Sequence, residues 1–354
     1  MEQKQVSIAG FLEFESVLGL EIKMDVNEHG YMRAEGILTK ETFKLCKTSQ
    51  SIWKKINVFS GEGVMLFGGV ITYLDYRYDR NLRYIEVEGM TESIMLDLYP
   101  KNRAFQDVRM TYGTLLRFLG NSGERIRAGR YHSAEIQNPI IQYNKTDWEL
   151  LKQIAGRLQT VILTGYVNSQ DTAFIGSPRN KLEHNPYSLD SVQELKRKKV
   201  FLIKTKEARY KQLKRGLSEQ WRFTYEQNLE IGDWVTWRGA KAQIYRKKVV
   251  LLNGYLEIEY EAGSEQCYSV HGQGNEMLRG TMLEGTVIST KRETIKIQLD
   301  IDAVKHKEDD GAYPFPYMPE SGIFFILCQN LIQEYVFIFR MNMKNMAISF
   351  MENG

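Results

Sequence analysis

The chain has 354 residues and a formal net charge of +3, with 43% hydrophobic and 26% charged residues. This composition is typical of folded globular domains and excludes a disordered or fibrous chain, and the length predicts about two to four domains. Because the net charge is small, the overall field gives no reason to expect nucleic acid or an anionic membrane as partner.

The region from Val6 to about Leu98 shows near-alternating polarity, which is typical of strands with one wet face. Its predicted strands are GLEIKMDV, YMRAEGILT, WKKINVFSG, FGGVITYLDYRYD and LRYIEVEGM. The glycine pairs Gly61/Gly63 and Gly68/Gly69 fit tight hairpin turns, where positive φ angles are needed. The region is predicted to form a small β-barrel-like domain.

Helical spacing replaces this alternation between Arg103 and about Pro178. Two amphipathic helices are predicted from their apolar positions, Tyr112, Leu115, Leu116 and Leu119 for the first and Trp148, Leu150, Leu151, Ile154 and Leu158 for the second. Thr146 and Asp147 are candidate N-cap residues, and Glu149 favours the positive end of the second helix. Because VILTGYV and TAFIG then return to strand composition, this segment is predicted to be α+β.

The second half of the chain is again rich in predicted strands. A basic stretch, SLDSVQELKRKKVFLIKTKEARYKQLKRG, precedes WRFTYEQ, WVTWRGA, AQIYRKKVVLLNG and YLEIEYEAG. After about Thr281, GTVIST, IKIQLDID, a charged loop and YPFPYMPESG fit the entry to a five-stranded barrel of the oligonucleotide/oligosaccharide-binding (OB) type.

The predicted fold is therefore mainly β with an α+β insert. We divide the chain into residues 1–102, a first β-barrel; 103–185, the α+β domain; 186–275, a second β-barrel; and 276–354, an OB-like segment with a divergent C terminus.

Motifs for catalysis and metal binding are missing from the sequence. It contains no GxSxG, no GxxxxGK[ST] and no GxGxxG after a strand. The cysteines, Cys46, Cys267 and Cys328, lie far apart without CxxC spacing, which predicts buried thiols. The histidines are isolated, without HExxH spacing, and are predicted to be surface or turn residues: His29, His132, His184, His271 and His306. We predict no catalytic residue, cofactor or metal site.

One group of carboxylates allows a rival, enzymatic reading. Asp300 and Asp302 are predicted on one face of a strand, with Glu308, Asp309 and Asp310 following. Paired carboxylates are the catalytic groups of glycosidases. Adjacent carboxylates in an EDDG loop are more often a solvated turn, however, so the solvated turn is preferred.

Two further features allow a binding function. The basic run from Lys196 to Arg215 is interleaved with aromatic and aliphatic residues and could contact nucleic acid or phosphate. Trp234 and Trp237 could stack on a glycan, although aromatic residues in such strands more often fill a barrel core or an interface. A solvated charged segment is the simpler interpretation of the basic run.

Several motifs occur in a recognisable order. FGGVITYLDY and RAFQD precede Thr111 and Tyr112, and YNKTDWELLKQIAGRLQTVIL follows. LEIGDWVTWRGAKAQIYRKKVVLLNGYLEIEY comes next, and LEGTVIST to YPFPYMPESG closes the series. Together, over residues 6–322, they resemble the hub region of VgrG-like and phage late-control-D-like proteins of contractile injection systems. The segment from Tyr143 to Trp148 matches that family's Tyr-Asn-Glu-Ser-Asp-type helix start, with Lys145 in place of an acidic residue.

The resemblance implies a structural baseplate hub and no enzymatic activity. A homotrimer with two similar barrels per subunit would match a sixfold tail tube to a threefold spike. The implied partners are the tail tube protein, a spike or spike-tip protein and baseplate wedge proteins, without a membrane anchor or nucleic acid. The implied location is the bacterial cytoplasm during assembly and then a virion or injection particle. The alternatives are a tail-associated cell-wall hydrolase and a glycan- or nucleic-acid-binding module.

The resemblance ends after Gly322. Relatives continue with a Gly-Glu-x-Val strand and a Phe-Gly turn that close the small barrel, whereas IFFILCQNLIQEYVFIFRMNMKNMAISFMENG has neither. We therefore predict that residues 323–354 form no regular closed barrel with residues 281–302, and that the strands before Gly322 lack pairing partners.

Overall fold

The protein is described from a computed structural model. The structure describes residues 6–48, 50–120, 125–164, 172–178, 183–184, 192–197, 219–237, 239–252, 254–270, 275, 278, 281–306, 310–316, 318–320, 323–325, 335–342 and 345–352. The chain forms two compact units. The first contains Met1–Met95, Ser122–Gly129 and Ile154–His271, and the second contains Leu96–Asn121, Arg130–Gln153 and Gly272–Gly354. The four predicted segments are thus grouped differently here, and their status as separate domains stays a prediction.

The first unit begins with six strands and one helix. They are β1 (Ser7–Gly10), β2 (Phe14–Asp25), β3 (Tyr31–Leu38), α1 (Lys40–Thr48), β4 (Lys55–Phe59), β5 (Met65–Asp79) and β6 (Leu82–Met90). The five predicted strands correspond to β2 through β6. Helix α1 was not predicted, because Phe43 and Cys46 are its only buried apolar positions, too few to produce a helical pattern.

The two glycine pairs have different roles. Gly63 has a φ of +76° in the turn between β4 and β5, as predicted. Gly68 and Gly69 lie inside β5 instead, so the predicted turn at this pair is wrong. A Cβ atom at Gly69 would lie 2.1 Å from the carbonyl oxygen of Met90. Glycine is required there because the neighbouring backbone approaches too closely for a side chain.

The middle of the chain contains the predicted helices. Its elements are β7 (Lys101–Phe105), α2 (Tyr112–Leu115), β8 (Ile126–Arg127), β9 (Ile140–Lys145), α3 (Asp147–Arg157), β10 (Ile162–Thr164) and β11 (Ala173–Ile175). Helix α2 is short and continues as a 3-10 turn, Leu116–Phe118. All four apolar residues that predicted it are buried.

Helix α3 begins with the local chemistry that the sequence indicated. The Thr146 hydroxyl accepts a hydrogen bond from the Glu149 backbone N–H (3.1 Å), and the Glu149 carboxylate accepts one from the Thr146 N–H (2.8 Å). This reciprocal pair is a capping box, which satisfies donors that a helix start would leave free. Trp148 and Leu151 are buried, whereas Leu158 is only half-buried.

The second β region belongs to the same sheet as the first. Its elements are β12 (Glu183–His184), β13 (Val192–Arg197), β14 (Glu219–Thr224), β15 (Trp234–Trp237), β16 (Ala240–Leu252), β17 (Tyr255–Gly263) and a short helix, α4 (Glu265–Tyr268). Strand β2 pairs antiparallel with β16, from Leu20 opposite Leu251 to Asp25 opposite Arg246. The strand order is β1-β4-β5-β6-β3-β2-β16-β17-β14-β13, with β15 beside β16 and β12 beside β15.

One hydrophobic core underlies this twelve-stranded sheet. Ile22 and Met32 from the first β region and Val249 and Tyr260 from the second belong to the same buried cluster, and each is at most 1% exposed. The two regions therefore share apolar burial as well as backbone pairing. The predicted mainly-β fold class is confirmed, and the two β regions are joined in one sheet.

The second unit ends in a five-stranded antiparallel sheet. Its elements are β18 (Met282–Lys291), β19 (Thr294–Leu299), β20 (Phe315–Pro316), β21 (Met318–Glu320), β22 (Ile323–Phe325), β23 (Tyr335–Asn342) and β24 (Asn345–Glu352), in the order β20-β19-β18-β24-β23, with β21 and β22 paired separately. Strand β18 pairs with β24 from Met282 opposite Ser349 to Gly285 opposite Met346. The expectation that strands before Gly322 lack partners is therefore wrong, because the divergent tail supplies one. The absence of a regular closed barrel between residues 323–354 and residues 281–302 stays a prediction.

Replacing Leu151 with Ala tests the core position of α3. Leu151 is fully buried, so we expect a loss of about 2 to 5 kcal/mol in the free energy of unfolding, measured by denaturant titration. Leu45→Ala is a matched control because Leu45 also lies in a helix, α1, but is 49% exposed. Similar losses in both variants would contradict the burial of Leu151.

Candidate assembly and binding sites

Ion pairs cross the seam where the two β regions meet. Pairing of β2 with β16 places Lys248 3.4 Å from Glu21 and Arg246 2.5 Å from Asp25. Arg246 also contacts Glu261 of β17 at 3.3 Å. These side chains lie on the face opposite the core, where Glu261 is buried and the other four are partly exposed. Charged cross-strand pairs of this kind favour one register of the seam over others.

The carboxylates of the seam are held in their charged form. Burial alone would raise the pKa of Glu21, but hydrogen bonds and charges from Lys23 and Lys248 outweigh it and lower that pKa. The pKa of Glu261 is lowered in the same way by Arg222 and Arg246. A carboxyl group whose pKa is lower in the folded state stabilises the fold above its unfolded pKa and loses this contribution in acid. Acid therefore weakens the seam.

Two exposed aromatic side chains lie on one face of the β5–β6 hairpin near its end. Tyr76 and Tyr78 pack against Phe43 of α1, with ring centroids 5.4 and 6.1 Å apart. They nevertheless remain 37% and 60% exposed. We call Tyr76 and Tyr78 the hairpin-tip surface. Exposed apolar groups that cluster in this way are typical of protein contact sites.

A buried carboxylate organises the start of α3 within the second unit. Asp147 is only 3% exposed in its side chain and accepts hydrogen bonds from Lys101, Arg103, Gln142 and the backbone N–H of Gly120. Sequence analysis proposed Asp147 only as a cap. Its partners lie up to 46 residues away in the chain, so no local sequence pattern could predict them. A buried charge with this many donors ties β7 and β9 to the helix.

Asp300 and Asp302 do not form the predicted carboxylate pair. Strand β19 ends at Leu299, so both residues lie beyond it, and Asp300 is exposed while the Asp302 side chain is 1% exposed. Asp310 is exposed and pairs with Arg109 at 2.5 Å. Glu308 and Asp309 lie outside the described residues. The expectation of one shared strand face is wrong, because the chain turns at Asp300.

Asp302 is the centre of a second buried polar cluster. Its carboxylate accepts hydrogen bonds from Gln106 Nε2 (2.8 Å), Gln298 Nε2 (2.8 Å) and the Leu299 N–H (2.7 Å). Burial raises the pKa of Asp302 to about 6, against the opposing effect of these donors and of His306. His306 Nε2 lies 3.4 Å from Asp302 Oδ2. The cluster joins the end of β19 to the residues after β7.

The remaining predicted residues are scattered. His29 hydrogen-bonds Ser93, and His132 is exposed. The His306 side chain is 5% exposed, so its predicted surface position is wrong. His271 lies outside the described residues, and so does most of the basic run from Lys196 to Arg215. No group of three His, Cys, Asp or Glu side chains in the described part of the chain is placed to bind a metal ion.

Trp234 and two of the cysteines, Cys46 and Cys267, are at least half-buried. Trp234 is half-buried in β15, a strand whose partners are β12 and β16, and Trp237 ends that strand. Cys46 is buried, as predicted, and burial raises the pKa of its thiol. Cys267 is half-buried, so its predicted burial is only partial, and its Sγ lies 3.4 Å from Ser264 Oγ. Cys328 lies outside the described residues.

Lys247 is a buried charge that sequence analysis did not single out. It lies on the core face of β16, is 3% exposed and donates a hydrogen bond to the Asn228 side chain. Burial lowers the pKa of Lys247 to about 8, although the Glu230 and Asp233 carboxylates act in the opposite direction. Alternation along β16 could have indicated this position, since Lys247 lies two residues from Val249 and Tyr245, both buried.

Comparison with known proteins identifies the fold. No family model and no curated protein matches the chain. Among solved structures, the E. coli c3393 protein, a type VI secretion component described as similar to the T4 tail proteins gp27 and gp5, has 12% identity and a TM-score of 0.59. The match covers 93% of this chain and 94% of the c3393 chain.

Two further structures support the same fold. A chain of the Francisella PdpA-VgrG complex has 8% identity and a TM-score of 0.56, and the match covers 99% of this chain and 78% of that chain. The MuSo2 prophage 43 kDa tail protein from Shewanella oneidensis has 10% identity and a TM-score of 0.52, and the match covers 77% of this chain and 100% of that protein. The chain thus has the fold of phage tail and VgrG proteins, which confirms the predicted resemblance at the level of fold. None of the described helices is long and apolar enough to cross a membrane.

Gln106→Ala tests the Asp302 cluster. Besides Asp302, the Gln106 side chain donates to the Ile297 carbonyl and accepts from the Tyr313 N–H. Its removal leaves buried groups unpaired, so we expect a cost of about 2 to 4 kcal/mol and faster amide exchange at Leu299 and Tyr313. Gln50→Ala, at an exposed glutamine, is the control. Unchanged amide exchange at Leu299 and Tyr313 in Gln106→Ala would show that the cluster does not stabilise these segments.

Stability at alkaline pH tests the environment of Lys247. Its folded pKa of about 8 lies below the ordinary 10.5, so the unfolded chain binds more protons between these values and stability should rise with pH across that window. The gain is about 3 kcal/mol at most. Lys247→Met should remove this rise when unfolding is measured from pH 7 to 10. Lys248→Met, on the exposed face of the same strand, should keep it, and an unchanged slope in Lys247→Met would contradict the burial.

Proposed function

We propose that the chain is a structural, non-enzymatic baseplate hub of a contractile phage tail or related injection machine, joining a sixfold tail tube to a threefold spike. The observation that carries this proposal is the seam between β2 and β16. It fuses two β regions, distant in sequence, into one sheet over one core. The similarity of the fold, over nearly the whole chain, to a type VI secretion component and to a chain of the PdpA-VgrG complex supports the proposal.

The symmetry argument follows from the number of β regions. Each subunit contributes two regions to its twelve-stranded sheet and one separate C-terminal sheet. Closed cyclic assemblies are the usual form of homo-oligomers. Three copies would present six regions of the first kind and three of the second. A homotrimer is therefore suited to a sixfold tube at one end and a threefold spike at the other.

Three interactions at the seam oppose separation of the two β regions. Backbone pairing, shared apolar burial and cross-strand ion pairs all act on the same two strands, so that the two β regions cannot separate without losing all three. Tail tube, spike or spike-tip and wedge proteins are the proposed partners, and the hairpin-tip surface is the proposed contact between subunits. Assembly in the bacterial cytoplasm, followed by incorporation into the particle, belongs to the same proposal.

The hydrolase and glycan-binding alternatives have less support. Asp300 is exposed and Asp302 is buried and hydrogen-bonded, so the two are not placed to act across one scissile bond. Trp234 is half-buried and lies in a strand paired on both sides. We propose no catalytic residue, cofactor or metal site for this chain.

Mass measurement of the full chain tests the trimer. Light scattering coupled to size exclusion should give about 124 kDa, three times the subunit mass of 41.2 kDa. Tyr78→Ser should weaken the trimer about tenfold or more, because exposed tyrosines at the centre of contact surfaces carry much of the binding energy. Tyr99→Ser is the control, since Tyr99 is 65% exposed but lies outside the hairpin-tip surface.

The outcomes separate the two parts of the proposal. A monomer at all micromolar concentrations, together with clearing of bacterial cell walls by the purified chain, would overturn the hub in favour of the hydrolase. A trimer that Tyr78→Ser leaves intact would refute the hairpin-tip contact and keep the hub.

A further inference from the structure

The Asp302 cluster contains two buried ionisable groups. The Asp302 and His306 side chains are 1% and 5% exposed, and His306 Nε2 lies 3.4 Å from Asp302 Oδ2. This nitrogen has no hydrogen-bond partner in the described part of the chain. A carboxylate and an imidazole therefore face each other inside the second unit without a hydrogen bond between them. We call them the Asp302–His306 pair.

The donors around Asp302 carry no charge. Its carboxylate accepts hydrogen bonds from the side-chain amides of Gln106 (2.8 Å) and Gln298 (2.8 Å) and from the Leu299 N–H (2.7 Å). Among the groups that act most strongly on Asp302, His306 is the one that can carry a compensating positive charge. A buried carboxylate surrounded by neutral donors is costly to keep ionised. The site therefore favours the uptake of a proton.

The charges on the far side of the imidazole are already paired. A Cβ atom at Gly311 would lie 3.2 Å from His306 Nδ1 and 3.5 Å from Asp107 Oδ2, so Asp107 is a carboxylate on that side of the ring. Arg109 contacts Asp107 at 3.2 Å and Asp310 at 2.5 Å. This guanidinium balances both carboxylates, which leaves Asp302 as the buried acid that faces the imidazole.

The neighbouring strand and turn add no buried charge in the described part of the chain. Strand β19 contributes the neutral Gln298, whose Oε1 accepts a hydrogen bond from the His306 backbone N–H at 2.8 Å. The turn that follows carries Asp300 and Lys305, and both are exposed to solvent. Residues 307–309 lie outside the described residues.

Asp302 lies where the turn after β19 meets β7. Ala104 of β7 donates a hydrogen bond to the Ile301 carbonyl (2.8 Å) and accepts one from the Ala303 N–H (2.9 Å). Asp302 is the residue between these two, and its carboxylate binds Gln106, two residues beyond Ala104. A change in the charge of Asp302 therefore acts directly on the attachment of this turn.

We propose that the Asp302–His306 pair is a pH-sensitive switch of the second unit, which takes up one proton in mild acid and thereby strengthens the attachment of the turn after β19 to β7. The proton belongs to the pair, because groups this close titrate together. The inference is independent of the hub proposal, since every group involved lies in the second unit.

The sign of the effect follows from the direction of the pKa shift. Burial raises the pKa of Asp302 from 3.8 to about 6, although the amide donors and His306 act in the opposite direction. A group whose pKa is raised by folding stabilises the fold below its unfolded pKa and loses this contribution as pH rises through the folded value. The turn should thus be held more tightly at pH 5 than at pH 7.5. The seam responds in the opposite sense, because the pKa values of Glu21 and Glu261 are lowered.

Hydrogen exchange on the full chain measures this attachment locally. The Leu299 N–H donates to Asp302, so opening at Leu299 releases the carboxylate. After correction for the intrinsic pH dependence of exchange, protection of this amide should increase about tenfold from pH 7.5 to pH 5. The Trp53 N–H, which donates to the Ile71 carbonyl in the first unit at 2.8 Å, is the internal control and should keep its protection.

Two aspartates of the same turn supply matched variants. Asp302→Asn removes the titrating group, so protection of Leu299 should no longer depend on pH between 5 and 7.5. Asp300→Asn removes an exposed carboxylate two residues away and should keep the tenfold change. His306→Gln should move the midpoint of the change to higher pH, because the imidazole lowers the pKa of Asp302.

A direct titration covers the case in which Asp302→Asn fails to fold. In the wild-type chain with ¹³C-labelled aspartate carboxyl groups, one NMR signal should titrate with a midpoint near pH 6. That midpoint should rise in His306→Gln and stay the same in Asp300→Asn. A merely structural role of the pair would move neither midpoint.

Several results would overturn the switch. Protection of Leu299 that is constant or falls towards pH 5 would contradict proton uptake, and so would a titration of every aspartate near pH 4. An equal pH response in Asp302→Asn and Asp300→Asn would assign the effect to another group. An unchanged midpoint in His306→Gln would remove the imidazole from the pair.

Discussion

The pairing of β2 with β16 is the constraint on which the first unit depends. These strands are separated by more than 200 residues, yet Leu20 lies opposite Leu251 and Asp25 opposite Arg246. Because strand side chains alternate between faces, a slip of one residue would reverse the faces of one strand, which would turn Ile22 out of the core and bury Glu21, or turn Val249 out and bury Lys248. The shared core on one face and the ion pairs on the other therefore select the same register.

Buried polar groups supply the corresponding constraint in the second unit. Asp147 gathers donors from β7, β9 and the segment after α2, and Asp302 gathers Gln106, Gln298 and a backbone N–H. Each carboxylate is fully buried and satisfied by several donors, so removal of any partner leaves a charge without compensation. Such clusters specify one arrangement of short elements that bury little apolar surface of their own.

Both constraints are compatible with the proposed role of a structural hub. The first unit contributes a twelve-stranded sheet with an exposed hairpin end, and the second contributes a five-stranded sheet. A carboxylate that its sequence pattern would assign to catalysis is used here to hold short elements together. Asp302 illustrates this, because its raised pKa results from burial inside a hydrogen-bonded cluster, and perturbed carboxyl groups of that kind occur in structural networks as well as in active sites.

Structural features that depend only on residues close together in the chain could be predicted from the sequence. Alternation predicted β2 through β6, and Thr146 with Glu149 predicted the start of α3, because strand faces and capping boxes are set within a few residues. Motif order predicted the fold that the structural comparisons confirm. The sequence left helix α1 undetected and assigned Gly68 and Gly69 to a turn, since two buried apolar positions and a close approach to Met90 have no local signature. Four further features could not be predicted from the sequence: the joining of the two β regions, the strand partner that the tail gives to β18, the separation of Asp300 from Asp302, and the burial of His306. All of these depend on contacts between residues far apart in the chain, which follow from simultaneous packing of the whole unit and which no window of the sequence contains.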